Sequence, residues 1–492
     1  MVRTRLLAAV LMLVLVVVPM AFAQTTTGNL VGTVTSGGTA LPGATVTISS
    51  PQMQGTRTTV TGNDGSFSFA GIPPGDYTVK SELAGLSTAT TKTRVGVSQT
   101  ARADSDLKSS VAEAITVTAS SSTVLETPTV SQNLKASTIE NLPSARTVIG
   151  TALLAPGVNG NTASANQLSI SGSPGYDNVI MVNGVVITEE VRSQALPLFI
   201  EDSIQETTVL TGAISAEYGR FTGGVVNSIS KSGGNEFSGS VRDNFSNPTW
   251  TSRTPRQKAL NVQLRDKNNF VYQETLGGFL IKDRLWFFGA GRQTKSDTPG
   301  SLRTIPGTTQ ALAFDTTSDE KRWEGKLTGQ IAAKHNLSVS YLNTDQKTQN
   351  TPFTLTSYDA EQLSNRHDPY KLLSANYNGV LTNNWLLEGV YSKLHWGVAE
   401  GNGSQFTDFI KGTIVRNRAD GNARFNSPTF CGVCDKETRS NDSWTVKSSY
   451  FLSTKNWGNQ NIIGGVEQFR EHRFANNYQS GSNFRVFVNC VQ

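Results

Sequence analysis

The chain has 492 residues, of which only 16% are charged, with 45 glycines and a formal net charge of +5. This length accommodates two or more domains, and with no basic run standing out, nucleic acid is not an expected partner. Past the N-terminal leader no stretch approaches about 18 consecutive apolar residues, which excludes a later spanning helix but not strands of about ten residues with alternate ones apolar.

The leader comes first. Arg3 and Arg5 precede an unbroken apolar run from Leu6 to Val18, and Ala21-Phe22-Ala23 follows with the small-x-small pattern of a cleavage site. Residues 1–23 are therefore expected to be a signal peptide, with Gln24 as the mature start and export as the consequence.

Residues 24–108 read as a β-sandwich. Leu30 to Val34 is a strand, Leu41-Pro42-Gly43 a turn, and Ala44, Val46 and Ile48 share one face of the next strand. Thr61-Gly62-Asn63-Asp64-Gly65 has the composition of a hairpin turn, since Asn, Asp and Gly tolerate positive φ. Phe67 and Phe69 then alternate, and Tyr77 and Val79 follow the Pro73-Pro74-Gly75 turn. The segments GTVTSGGTALPGATV, TVTGNDGSFSF and GIPPGDYTV resemble the carboxypeptidase-regulatory-like (prealbumin-like) domains. That resemblance implies a fold and no peptidase. A zinc peptidase needs a His-x-x-Glu pair, and none of His335, His367, His395 and His472 has Glu three residues later. No metal and no cofactor are expected.

Residues 109–129 form a Ser/Thr/Ala-rich linker around a β-prone island, Glu113 to Ala119. The island reads either as a last strand of the sandwich or as an extended peptide that adds to a partner's sheet edge through main-chain hydrogen bonds.

Residues 130–235 mix element types. Ala136 to Leu142 and Thr147 to Leu154 are predicted helices, the second stopped by Pro156-Gly157. Asn178 to Val182, Asn183-Gly184 and Val185 to Ile187 are predicted as strand, turn and strand. Ser203 to Val209 and Gly224 to Ile229 supply further strands, making a small α+β unit.

Three stretches of this region, IENLPSARTVIGTALLAPGV, SISGSPGYDNVIMVNGVVITEE and DSIQETTVLTGAISAEYGRFTGGVVNSISKSGGNEFSGSV, resemble the plug of TonB-dependent outer-membrane receptors, with Asn183-Gly184 where Asp-Gly is usual. The regulatory-like domain ahead of the plug is similar to the Oar-like branch. The resemblance implies a TonB box just before the plug, at Ile115, Thr116, Val117, Thr118 and Ala119. It implies as partners the TonB energy-coupling complex, outer-membrane lipid and an extracellular ligand that is an oligosaccharide, a peptide, a metal chelate or a protein. The glycine-rich end of the plug is no phosphate cradle, because no helix and no Gly-Lys-Ser/Thr ending follow it. Gly219, Gly223 and Gly224 are expected to let the last plug strands turn tightly beneath a barrel wall. Ser232-Gly233-Gly234-Asn235 is expected to form the hinge from plug to barrel, with the first barrel strand beginning at Phe237 to Val241.

Residues 236–492 are predicted as an incomplete outer-membrane β-barrel. Leu337, Val339 and Tyr341 face one way, as do Trp444, Val446, Tyr450 and Leu452, with polar residues between them. Short polar turns recur near Lys282-Asp283, Lys334-His335-Asn336, Thr382-Asn383-Asn384 and Gly458-Asn459. Gly291 to Lys321, Asn343 to Tyr370 and Trp396 to Ser443 are predicted as long polar loops, in which Asp315, Asp319 and Glu320 are solvated charges. Trp286, Trp385 and Trp457 beside the short turns are expected to form an aromatic girdle. Cys431 and Cys434 are expected to close a small disulfide loop, given the oxidising compartment, leaving Cys490 over. About nine or ten strands are counted where plugged transporters use about 22, so the chain is expected to be the N-terminal portion of a longer receptor.

The expected fold class is therefore mainly β: a prealbumin-like sandwich, a small α+β plug, then part of an antiparallel transmembrane barrel. No constellation of residues suggests an enzyme. By resemblance the expected function is energised uptake of a nutrient ligand across the outer membrane of a Gram-negative-type bacterium. The alternatives are an outer-membrane adhesion or surface-organising protein and a secreted carbohydrate-binding sandwich protein.

Overall fold

The computed structural model describes residues 27–489 apart from 98, 109–114, 119–129, 143–145, 164–165, 190–192, 216, 260–263, 265, 302–311, 333, 353–358, 360–362, 383, 402–405, 427–436, 455–457 and 475–479. Residues 1–23, expected to be a signal peptide, and Ala119, Cys431, Cys434, Trp457 and Cys490 lie outside the described residues.

The sandwich is built from β1 (Gly28–Ser36), β2 (Thr39–Ala40), β3 (Thr45–Ser50), β4 (Met53–Val60), β5 (Ser66–Ile72), β6 (Gly75–Glu82), β7 (Ala89–Val95), β8 (Thr100–Arg102) and β9 (Ser105–Asp106). One sheet holds β2, β1 and β5 with β8 and β9 on β1, and the other runs β7-β6-β3-β4. The strict alternation read from the sequence places Leu30, Val46, Ile48, Phe67, Phe69, Tyr77 and Val79 in one core between the sheets. The Thr61–Gly65 turn is not a hairpin. Its flanking strands β4 and β5 pair with β3 and β1 respectively, so the turn carries the chain from one sheet to the other. Turn composition reports that the chain reverses, but not which partner the next strand finds.

Linker residues Ile115–Thr118 form β10, which adds in parallel to the edge of the sandwich with Ile115 opposite Ala89 and Thr118 opposite Lys92. The island thus takes the first of its two readings in this structure, as an added strand of the preceding sheet.

The plug contains β11 (Val130–Lys135), β12 (Val158–Asn159), β13 (Ser169–Ile170), β14 (Val179–Val182), β15 (Val185–Val186), β16 (Ile204–Gly212) and β17 (Val225–Ser230). Its main sheet runs β11-β16-β17-β14-β15, with short helices Ala136–Glu140 and Val148–Ala152 beside it. Asn183 and Gly184 both take positive φ (51° and 75°), the turn geometry that joins β14 tightly to β15. The second helix is capped by Thr147, whose hydroxyl accepts from Gly150 N at 3.0 Å.

The barrel wall follows as β18 (Ser238–Ser246), β19 (Asn269–Ile281), β20 (Leu285–Ser301), β21 (Ala313–Ala332), β22 (His335–Pro352), β23 (Leu363–Thr382), β24 (Trp385–Val398), β25 (Glu400–Gly401), β28 (Glu437–Thr454) and β29 (Gly458–Phe474). These pair antiparallel in chain order, with β25 off the main path on β23. Between β25 and β28 lie β26 (Ile414–Asn417) and β27 (Ala423–Phe425), which form a separate small sheet with β30 (Arg485–Val488) at the end of the wall distant from the short turns.

Trp323, Leu327, Trp385, Tyr391, Trp444, Val446, Tyr450 and Leu452 are exposed on the outer face, while Ser392, Thr445, Lys447 and Ser449 are buried on the inner one. This is the apolar-out, polar-in alternation of a membrane wall.

Three expectations for the wall are corrected. Two of the three long polar stretches are largely strand: β20 runs to Ser301, β21 starts at Ala313, and β22 and β23 reach Pro352 and Leu363. Where both faces of a strand meet water the apolar alternation stops, but backbone pairing continues. Glu320 is not a solvated loop charge, because it lies within β21 and is buried at 8% exposure. Trp286 is not part of an outer girdle, because its side chain is fully buried inside the wall. Trp385 does stand on the outer face, with its indole N–H donated to Ser448 Oγ at 2.7 Å.

Candidate functional site

The candidate site is the seam between plug and wall. Inward positions recur at every second residue of a strand, and β21 places Glu320, Arg322, Glu324 and Lys326 on that face. The register sets Arg322 directly opposite Arg292 of β20. Arg322 Nε and Nη2 each reach a Glu320 oxygen at 2.9 Å, and Arg292 Nη1 also pairs with Glu320. The plug completes the cluster. Arg292 Nε lies 2.9 Å from Glu201 Oε2, and Arg322 Nη1 donates to Phe199 O at 2.7 Å. Two arginines thus face two glutamates across a boundary between domains, where desolvation makes each charge dependent on its partner.

The same strand grips the plug lower down. Glu324 accepts hydrogen bonds from Ser203 Oγ (2.9 Å) and Ser230 Oγ (2.6 Å), and Lys326 Nζ donates to Ser230 O (3.0 Å). Asp202 of the plug pairs with Arg242 Nε of β18 at 2.8 Å. Around the wall, Lys447 bridges Glu388 (2.7 Å) and the plug's Glu217 (3.5 Å), and Arg439 pairs with Glu189. A different contact is made against β22, β23 and β24. There Leu342, Tyr370, Leu372, Leu394 and Trp396 join the plug's own apolar core. One flank of the plug is therefore held chiefly by burial and the other chiefly by polar pairs, beside a small apolar contact of Ile200 with Phe288 and Ala290.

The plug leaves for the wall through Ser232 to Phe237. Asn235 Oδ1 accepts from Trp286 Nε1 (2.8 Å) and Asp283 N (3.0 Å), while its Nδ2 donates to Asp283 Oδ1 (2.6 Å). The junction is thus clipped to the short turn between β19 and β20. On the opposite side the sandwich docks on the plug. Glu206, fully buried, accepts from Arg94 Nη2 (2.8 Å), Val97 N (3.2 Å) and Asn133 Nδ2 (3.1 Å). Its burial pushes the carboxyl pKa up, against the pull of those donors.

The glycines named from sequence serve this site in different ways. Gly223 and Gly224 do not take positive φ; the left-handed residue nearby is Arg220, at φ 66°. They allow close approach instead. A Cβ on Gly224 would sit 2.4 Å from Ile170 Cγ2 and 2.6 Å from Leu210 O, and one on Gly223 would sit 2.1 Å from Ser173 Oγ. Gly233 lets the junction pass the wall backbone, since a Cβ there would meet Phe287 O at 2.2 Å, whereas Gly234 faces open space. Gly219 lies in the irregular segment after Tyr218, and Tyr218 packs into a second plug cluster with Met181 and Val225. Ile115, Thr116, Val117 and Thr118 sit apart from the seam, on the sandwich edge.

Sequence reading missed Glu201, Arg292, Arg322, Glu324 and Lys326, whereas Asn235 falls in the predicted hinge. A signal was present in Glu-x-Arg-x-Glu-x-Lys over 320–326, a charged stripe at strand period with Trp323 and Leu327 on the other face. Among the described residues no group of His, Cys, Asp and Glu is arranged to hold a metal.

A carboxypeptidase regulatory-like domain model matches residues 29–108, and a TonB-dependent receptor plug domain model matches residues 123–226. The TonB-dependent transporter Oar of Myxococcus xanthus is 29% identical over 377 residues, covering 67% of this chain and 34% of the relative. The outer membrane transporter YddB from Escherichia coli superposes with a TM-score of 0.52 at 13% identity, covering 69% of this chain and 48% of that one, which is a likeness of fold. The chain spans about a third of the length of the curated relative and about half of that transporter. With a regulatory-like sandwich and a plug in this order ahead of an antiparallel barrel wall, and with this relative, the chain is similar to the TonB-dependent receptors of the Oar-like type.

Proposed function

We propose that this chain supplies the sandwich, the plug and part of the wall of an outer-membrane receptor that takes up a nutrient ligand by energised transport. The observation that carries this reading is the asymmetric seam. Apolar packing holds the plug to β22–β24, while the Arg292–Arg322–Glu320–Glu201 cluster and the Glu324 hydroxyl bonds hold it elsewhere. Polar contacts of this kind can exchange with water, so a pull can open one flank while the other stays seated. The strands outlast the membrane thickness at the end away from the short turns. That end would face the exterior and offer the ligand surface, with the short turns and the sandwich in the periplasm.

Energy enters through Ile115–Ala119 as the TonB box. A partner strand would pair with it through main-chain hydrogen bonds. In this structure the main chain of Ile115–Thr118 is engaged by β7, so the box must leave the sandwich edge before the energy-coupling complex can take it. The test is cross-linking in native membranes between Val117→Cys and single cysteines in the periplasmic domain of the TonB protein. A specific cross-link, lost when Thr116 and Thr118 on either side of the cysteine are replaced by Pro to remove their main-chain donors, is expected. Its absence at every partner position would sink the transport reading. A receptor used only for adhesion would also lose no activity on deletion of Ile115 to Ala119.

A further inference from the structure

The sandwich touches the wall as well as the plug. Thr27, just ahead of β1, donates its hydroxyl to Glu388 Oε1 of β24 at 2.8 Å, and both side chains are buried. A Cβ on Gly71 of β5 would sit 2.4 Å from Cδ2 of Leu386, which lies two residues from Glu388 on the same inward face. Since β24 begins at Trp385, both contacts are at the short-turn end of the wall. Toward the plug, Gln99 Nε2 donates to Ser131 Oγ (3.2 Å) and Gln205 Nε2 donates to Pro74 O (3.4 Å), beside the Arg94–Glu206 pair. The sandwich therefore bridges plug and wall.

Glu388 carries this bridge further. Its Oε2 lies 2.7 Å from Lys447 Nζ, and that ammonium lies 3.5 Å from Glu217 Oε2 of the plug. One cation serves two carboxylates, with the side chains of Lys447 and Glu388 only 4% and 9% exposed. At such burial each charge depends on its partners, because water does not replace a lost one. The Thr27 hydroxyl gives Glu388 a second donor, which lets it share Lys447 with Glu217. Without that donor Glu388 draws Lys447 to itself. Glu217, at the longer distance and with its carboxyl pKa pushed up by burial, is then the group released.

Glu217 also stands between two residues in unfavourable backbone. Ala213 and Arg220 take left-handed φ of 48° and 66°, which non-glycine residues keep only where surrounding contacts compensate. Arg220 is itself fixed to β29, with Nη2 2.9 Å from Glu467 Oε1 and its guanidinium 3.8 Å from the centre of the Phe469 ring. On the sandwich, β7 carries two handles. Strand β10 pairs with Ala89 to Lys92, and Arg94, two residues on, holds Glu206.

We propose that the sandwich is an interlock: while docked it keeps the Glu217 segment of the plug on the wall through Thr27, Glu388 and Lys447, and its departure frees that segment. The coupling is internal to the chain. Only the pull that lifts the sandwich rests on the receptor reading, because the box lies on β7.

The test is amide hydrogen exchange, read by mass spectrometry on the full protein in detergent with no ligand added. Thr27→Val keeps the shape and loses the hydroxyl, and is expected to raise exchange at Glu217 to Arg220 by roughly tenfold. Arg94→Glu touches neither Glu388 nor Lys447 but repels Glu206, and is expected to act in the same direction by letting the whole sandwich leave. Joining Pro74→Cys to Gln205→Cys with a short bismaleimide holds the sandwich in place and is expected to return the Arg94→Glu protein to the original rate. Amides of Val46 to Ile48, in the sandwich core, are expected to stay protected throughout, which separates undocking from unfolding. Unchanged exchange at Glu217 to Arg220 in either variant overturns the proposal, as does a rise that the bismaleimide does not reverse. None of these measurements uses the TonB protein, so a missing Val117 cross-link removes the receptor reading and leaves the interlock standing, and the reverse failure is equally distinct.

Discussion

Trp286 donates its indole N–H to Asn235 Oδ1 at 2.8 Å, and that one bond ties the last residues of the plug to the first hairpin of the barrel wall. Trp286 is fully buried and sits one residue into β20, so the bond is made where the wall turns back on itself. The same Asn235 side chain also holds Asp283 through both its backbone and its carboxylate. A single amide thereby sets the direction in which the chain passes from gate to frame.

Replacing Asn235 by Ala leaves a buried indole donor without its acceptor, a loss of about 1–3 kcal/mol. The expected outcome is a lower unfolding midpoint and early proteolysis between residues 231 and 240. Asn235→Asp keeps the acceptor for Trp286 but sets a second carboxylate against Asp283, and should fall between the two. A variant as stable as the original would show that the clip carries no weight.

Arg322→Ala removes a cation that is only 8% exposed and leaves Glu320 and Glu201 sharing Arg292. Breaking one member of a buried charge cluster costs about 3–5 kcal/mol. The plug should become accessible to protease while the strands stay paired, as read by circular dichroism. A double-mutant cycle with Glu201→Gln should show coupling, since Arg322 Nη1 lies 4.0 Å from Glu201 Oε1 and both groups pair into the same cluster.

The docking of sandwich to plug should depend on pH through Glu206. Its pKa in the folded protein is raised above the ordinary value of 4.5, chiefly by burial. The folded state therefore binds more protons than the unfolded one between 4.5 and the raised value, and stability falls as pH climbs through that window. The contribution is greatest below the window. Glu206→Gln should flatten the slope, as measured by proteolytic release of the sandwich across pH 4.5–7. An unchanged slope would assign the pH response to another group.

Deleting Ile115–Thr118 should turn β7 into a free edge. Amide exchange at Thr90 to Lys92 is then expected to rise by roughly tenfold, the response of strand backbone that loses a paired neighbour. The amides of β3, in the middle of the same sheet, should keep their protection, because both of their partners, β4 and β6, remain. Equal exchange at β7 in both proteins would show that the added strand is not formed in solution.

Gly224→Ala should be poorly tolerated even though its φ is unexceptional. The added carbon meets Leu210 O at 2.6 Å, and a backbone oxygen cannot rotate away as a side chain can. A loss of about 1–3 kcal/mol is expected from such overpacking. Gly234→Ala, with no atom within 4 Å of the added carbon, should be neutral by the same thermal measurement. The pair tests whether close approach, and not turning, is what these glycines provide.

Much of the architecture was legible because it is written at short range. Period-two alternation marks β1, β3, β5 and β6 of the sandwich and the outer face of the wall. Asn183-Gly184 marks the β14–β15 turn, whose two positive φ angles few other pairs accept. The seam was far less legible. Glu320 and Arg322 look like solvated charges in a polar stretch until β20 and β21 are paired along their length. Only then does the register bring Arg292 opposite Arg322 and turn the stripe toward Glu201. Trp286 shows the same limit, since a tryptophan next to a short turn fits an outer girdle as well as an inner clip. Which face it takes depends on the pairing of β20 with β19 and β21.

By itself, then, the sequence determined the order of sandwich, linker, plug and wall, and which residues of each strand share a face. Both follow from hydrophobic period and turn chemistry, which act over a few residues. The tertiary structure decided that Thr61–Gly65 joins two sheets, that β10 lies on the sandwich edge, and that the plug is held by burial on one flank and by ion pairs on the other. Those outcomes depend on which strand edges and which buried charges meet across tens to hundreds of residues of chain. Desolvation and register act only once the strands are in contact.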